Sequence, residues 1–178
     1  SPLLVLAALF TALFVGLRYE TGADWGNYIG IFDATVADLV SAVTSGDPAY
    51  MFLNWVVREF GGALWHVNLI CSLVFMWGMV RFAQTQPNPW LALAVAVPYL
   101  IIVVSMSYTR QAVAIGLHMV AIRMFQSGRL RAFLVYLILA SLFHKTAIVV
   151  IPLFVLAVTR NRTIIWLAAG LIAVALFT

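Results

Sequence analysis

Acidic residues are missing from most of this chain. The six that exist all lie between Glu20 and Glu59. Charge of either sign is scarce, at 9% of 178 residues, where a soluble domain carries roughly 25%. That scarcity excludes an ordinary water-soluble globule. The ten lysines and arginines stand as scattered singles and pairs, not as a basic stripe, so nucleic acid is excluded as a partner. The single cysteine, Cys71, excludes an internal disulfide and a cysteine-rich metal site. No His/Cys/carboxylate spacing suits a metal and no Gly-rich phosphate loop is present, so no metal or other cofactor is expected. A signal-peptide pattern is also lacking, because Ser1-Pro2-Leu3 has no basic flank. Both ends lie in apolar sequence, and the chain reads as a fragment of a longer protein.

What is present is apolar: 65% of residues are hydrophobic and the mean hydropathy is +1.06. The length suffices for about six or seven spans at ~20 residues each, with the bilayer as solvent. The expected fold is all-α: a polytopic integral membrane protein, a single transmembrane domain over 1–178, with about seven transmembrane helices. Apolar runs place spans near 3–17, 63–82, 90–106, 108–126, 130–143, 146–159 and 163–178, two of them interrupted by Pro98 and Pro152. Residues 19–62 form an acidic loop with one or two interfacial helices. In it, Ile29, Phe32, Val36, Leu39, Val40 and Val43 recur at three- and four-residue steps, which predicts one amphipathic helix over about 25–43. Asp47-Pro48 then reads as an N-cap and first helical residue. The helix that follows carries Tyr50, Trp55, Arg58 and Glu59 and ends at Gly61-Gly62.

Arginines orient the chain. Alternate helix ends gather Arg81, then Arg123, Arg129 and Arg131, then Arg160 and Arg162, and the positive-inside rule makes that side cytoplasmic. The opposite side receives the loop from Arg18 to Gly62, whose six acids against two arginines give a net charge of −4. It also receives the Ser105–Arg110 and His144-Lys145 corners. Most of the unusual polar residues thus face the periplasm or cell exterior.

Arg110 is the sharpest chemical signal. It stands in Tyr108-Thr109-Arg110-Gln111 with apolar sequence on both sides, where a charge is costly unless paired or facing water. A guanidinium can hold two phosphate oxygens at once, so Arg110 either grips a lipid diphosphate or is a structural cation paired with Asp24 or Glu20. Asp24, Tyr28 and Phe32 are four residues apart and share a helix face. Asp24 is either the N-cap of that helix or a base for a sugar hydroxyl. Asp47 carries the same ambiguity and leans toward the cap. In Phe143-His144-Lys145-Thr146, the histidine can serve as base and the lysine can hold phosphate; a helix-end His-Lys pair is also ordinary interfacial anchoring. His66 and His118 read as packed, hydrogen-bonded residues.

Taken in order, Arg18, Gly22-x-Asp24, Tyr28 and Phe32, then Tyr108-x-Arg110-Gln111-x-x-Ala114, then Phe143-His144-x-Thr146-Ala147, resemble the EpsG family of bacterial exopolysaccharide polymerases, relatives of the Wzy-like polymerases. The resemblance spans most of the chain. Where the family often has a glutamate before the Gly/Ala-Tyr of the second helix, this chain has Asp47-Pro48-Ala49-Tyr50. The resemblance implies a membrane glycosyltransferase in the bacterial inner membrane. It would join undecaprenyl-diphosphate-linked repeat units at the periplasmic face, with membrane lipids and other polysaccharide-assembly proteins as partners besides the lipid-linked oligosaccharide substrate. On that reading Asp24, His144 and Arg110 are the catalytic candidates, and Arg18, Tyr28, Tyr108, Gln111 and Lys145 bind substrate. The rival expectation is a non-enzymatic flippase or exporter subunit for lipid-linked glycan; a membrane acyltransferase using His144 is a further one.

Overall fold

The computed structural model describes residues 1–35, 38–150, 161, 163–167, 170 and 174. Among them it is all-helical, with no strand. Up to residue 150 eight α-helices are delimited among the described residues: α1 Pro2–Gly16, α2 Trp25–Asp33, α3 Leu39–Thr44, α4 Pro48–Glu59, α5 Leu64–Ala83, α6 Pro89–Ala96, α7 Thr109–Gln126 and α8 Leu130–Phe143; residues 163–167 are helical as well. Between α6 and α7 the chain continues as a π-helix over Val97–Ser105, and after α8 comes a 3-10 turn over Lys145–Val149. Pro98 has no N–H to give to the preceding turn, and the wider winding begins there.

The predicted helix over 25–43 is corrected to two, α2 and α3. α2 ends at Asp33 with Ala34 as its C-cap, and Asp38 opens α3 by accepting the Ser41 N–H on its carboxylate at 2.8 Å. That cap supplies a partner for one of the orphan donors of a helix start. The supposed apolar face is therefore split, and Ile29, Leu39 and Val40 are exposed.

α5 lies at the centre, packed on one side against α1 and on the other against α7, which in turn meets α8. In an apolar solvent, packing of small residues and interhelical hydrogen bonds hold helices together in place of hydrophobic burial. Both occur here. Ala8, Ala12 and Gly16 line one face of α1 at four-residue steps and are buried. The Ser72 hydroxyl crosses from α5 to donate to the Ala12 carbonyl at 2.8 Å. A Cβ on Gly16 would lie 2.6 Å from the Leu69 Cα. Gly78 of α5 meets Gly116 of α7 just as closely: a Cβ on Gly116 would come within 2.8 Å of the Phe75 Cα.

The exterior of this bundle is apolar. Phe10, Phe14, Val95 and Ile138 are all more than half exposed. α5 is long and apolar enough to cross a membrane by length and composition. α1, α8 and the run Pro89–Ser105 are apolar but shorter. Against the expected seven spans, one helix of clear spanning length stands among the described residues. The expected span 146–159 beyond Val150, Pro152 within it, and most of 163–178 lie outside the described residues.

Candidate functional site

Three helix ends converge on Asp47. The residue stands at the N-cap position of α4 but makes no side-chain cap bond, which corrects the capping role expected from Asp-Pro. Its carboxylate is buried and turns toward α7 and the end of α8. Oδ2 accepts from Arg110 Nη1 at 2.8 Å, and Oδ1 accepts from the Lys145 backbone N–H at 3.1 Å. His144 Nδ1 lies 3.9 Å from Oδ2, too far for a hydrogen bond. Arg110 therefore pairs with Asp47, not with Asp24 or Glu20 as the structural alternative supposed.

Two tyrosines wall the pair. The guanidinium carbon of Arg110 is 5.8 Å from the ring centroids of both Tyr28 and Tyr50, within cation–π range. The two rings meet edge to face at 5.7 Å. The Tyr28 hydroxyl also accepts from the Arg110 backbone N–H at 3.5 Å. Burial raises the Tyr28 phenol, and the contacts with Arg110 partly offset the rise. The His144 imidazole is lowered from 6.5, first by burial and also by Arg110 and Lys145, against the pull of Asp47. Burial therefore favours the neutral imidazole. Arg110 keeps 27% of its side-chain surface open while Asp47 keeps 6%, so the guanidinium is reached from outside and the carboxylate is not.

Arg18 lies in a second polar layer. It is 7% exposed. Its Nη2 donates to Thr109 Oγ1 at 2.7 Å and to Asn68 Oδ1 at 3.5 Å, and its Nη1 donates to the Val15 carbonyl at 2.9 Å. Burial pulls its guanidinium below the ordinary value. Through Thr109, the neighbour of Arg110, Arg18 ties the end of α1 to the start of α7. Gly22 completes this tie. Its φ of +109° suits glycine, and a Cβ there would come within 2.9 Å of the Ser107 Cα.

Of the residues singled out from the sequence, the structure brings Arg110, Tyr28, His144 and the backbone of Lys145 together. Tyr108 and Gln111 are exposed beside them at the start of α7, as is the Lys145 side chain. Asp24 sits at the N-cap position of α2 without a side-chain cap bond. Among the described residues, no hydrogen bond or ion pair joins Asp24 to Arg110. Tyr50 is the member that sequence reasoning left out, and Asp47 is the one it leaned toward reading as a cap. The Asp-Pro-Ala-Tyr string, standing where the family has Glu before Gly/Ala-Tyr, was the signal for both. His66 is accounted for locally: Nδ1 accepts the Ala63 N–H at 3.0 Å, and the ring stacks on Trp65. At the far end of the bundle Arg123 Nη1 donates to the Arg81 carbonyl at 3.5 Å. Arg81 and Arg123 therefore meet, whereas the expectation for Arg160 and Arg162 lies outside the described residues.

A helical bundle with an apolar exterior and a cation-rich polar cluster confined to one end has the architecture of a membrane protein. More specifically, the chain belongs to the EpsG family, whose sequence profile matches residues 2–178. Membership is consistent with a membrane protein of exopolysaccharide biosynthesis. No curated protein and no solved structure matches the chain. Among the described residues no cluster of His, Cys, Asp and Glu has the make-up of a metal site.

Proposed function

We propose that this protein is a polysaccharide polymerase, a multi-pass glycosyltransferase of the bacterial inner membrane. It joins undecaprenyl-diphosphate-linked repeat units at the periplasmic face. The observation that carries this reading is the accessible Arg110 guanidinium, held by a buried carboxylate and two tyrosine rings beside a neutral histidine. As the bond to the lipid diphosphate breaks, negative charge builds on the leaving oxygen, and a fixed cation there stabilises it. Arg110 and the Lys145 ammonium supply that charge directly. Arg18, one layer deeper, adds positive potential and fixes the backbone that carries Arg110. The acceptor hydroxyl needs a base, and neutral His144 fills that role; Asp24 is the other carboxylate available for it. Tyr108 and Gln111, exposed at the start of α7, face incoming glycan. The seven-span layout, with 19–62 as the periplasmic loop, belongs to this proposal.

The test is a comparison of surface-glycan ladders in a strain lacking the gene, complemented by wild type or by Arg110→Ala at matched membrane levels. The expected result is single repeat units without the gene, long chains with wild type and none with Arg110→Ala, a loss of at least about 100-fold. Loss of all surface glycan without the gene would instead mark a flippase or exporter. Full-length polymer made by Arg110→Ala would remove Arg110 from the reaction.

A pH profile follows from the burial of His144. Its protonation value is lowered from 6.5, so the base is intact above that pH and is lost as pH falls through the lowered value. In vitro elongation should be level from pH 7 upward until other groups titrate, with an acid limb below about 6.5. His144→Gln should abolish that limb together with most of the rate; an unchanged limb in this variant would assign the base elsewhere.

A further inference from the structure

Asp47 Oδ2 faces two nitrogens and bonds one. Arg110 Nη1 holds it at 2.8 Å, while His144 Nδ1 waits 3.9 Å away. Nδ1 is buried and has no hydrogen-bond partner, and Arg110 Nε is likewise buried without one. A buried donor left unpaired is costly and rarely maintained without a use. Oδ1 is meanwhile engaged by the Lys145 N–H at 3.1 Å, so the carboxylate stays in place whichever way Oδ2 is used. The charged groups around the imidazole are Asp47 at the start of α4, Arg110 on α7 and Lys145 next in the chain.

We propose that Asp47 is a positioning residue that passes from Arg110 to His144 when a diphosphate occupies the site. A diphosphate at the exposed side of Arg110 offers its guanidinium several anionic oxygens in exchange for one carboxylate oxygen. As Arg110 turns to it, Oδ2 becomes free to accept the His144 Nδ1–H. That hydrogen bond fixes the tautomer, leaves the lone pair on Nε2 and favours the imidazolium that forms when Nε2 takes a proton from the acceptor hydroxyl. No covalent bond changes in the handover; one N–H···O contact replaces another. The base is thus strengthened only once a donor is bound, which suppresses proton abstraction in an empty site. The inference rests on the proposed function in one respect, that a lipid diphosphate binds at Arg110.

The experiment uses full-length protein in detergent, with 15N-labelled histidine and farnesyl diphosphate as the probe. The His144 imidazole is titrated by NMR with and without probe and assigned through His144→Gln. Wild type should show the His144 protonation constant rising about tenfold on probe binding, a shift of about one pH unit. Asp47→Asn keeps an oxygen for the Lys145 N–H and should show a rise of less than about threefold, the direct field of the diphosphate alone. Asp47→Glu, which restores the carboxylate, should recover most of the shift, a result that a merely structural role would not give. If the probe binds and wild type and Asp47→Asn shift equally, or neither shifts, the handover is overturned while the polymerase reading stands. If the probe perturbs no resonance of wild type at millimolar concentration, both the handover and the diphosphate site at Arg110 are overturned. The ladder experiment then decides separately whether the protein is a polymerase.

Discussion

A Gly78→Val protein is expected to be almost absent from the membrane as folded material. Gly78 is buried in the middle of α5, and its Cα faces the Gly116 backbone of α7. An added Cβ would overlap the Gly116 carbonyl and lie 2.8 Å from the Gly116 Cα. No rotamer change relieves a clash with backbone, so the two helices must separate. Overpacking a core typically costs about 1–3 kcal/mol and sometimes more, against a total stability of about 5–15 kcal/mol. Here the cost falls on a helix pair that also carries Asn68 and Thr109, the partners of Arg18. The check is the monodisperse fraction after detergent extraction, with the thermal midpoint of whatever survives. Gly26→Val is the control: nothing lies within 4 Å of a Cβ built there, so that protein should behave as wild type. Wild-type yield and midpoint for Gly78→Val would show that α5 and α7 do not approach as closely as the structure has them.

The residues behind this prediction also show what the sequence can and cannot convey. The ends of α5, α7 and α8 lie within a residue or two of the expected spans, because glycine, arginine and the polar corners at Ser105–Tyr108 and His144-Lys145 punctuate the apolar runs. The small residues Ala8, Ala12 and Gly16 stand in the sequence at a helical repeat. Which helix they meet is a tertiary fact that periodicity does not carry. Asp47 is the clearest case. At a helix start, followed by proline, it has a sufficient local explanation, yet its partners lie 63 and 98 residues away. Local logic also joined α2 to α3 across Asp38: three- and four-residue steps continue past it, whereas the Asp38 side chain caps the Ser41 N–H and starts a new helix there. Arg110 was legible for the opposite reason. A charge in apolar sequence has no cheap local explanation, so its need for a partner showed before the partner did.

That need should be measurable as coupling. Asp47→Leu leaves the Arg110 guanidinium partly buried without its carboxylate, and Arg110→Met leaves a buried carboxylate without its cation. Breaking one side of a buried ion pair costs about 3–5 kcal/mol. Because Arg110 retains access to water, Asp47→Leu should fall near or below the low end. Replacing both partners removes the stranded charge, so Asp47→Leu/Arg110→Met should be more stable than the sum of the singles by about 1–3 kcal/mol. Thermal midpoints in one detergent would show this as a recovery of several degrees. The two singles should also differ in their response to acid. A stranded carboxylate escapes its penalty by taking up a proton, so the deficit of Arg110→Met narrows as pH is lowered. A guanidinium has no such escape, so the deficit of Asp47→Leu does not narrow. Glycan ladders would separate stability from chemistry, because the double variant should be present at near-normal levels and still make no polymer. Additive losses in the double variant would mean that the 2.8 Å contact carries no coupling. Long chains made by the double variant would mean that the site works without a cation at this position.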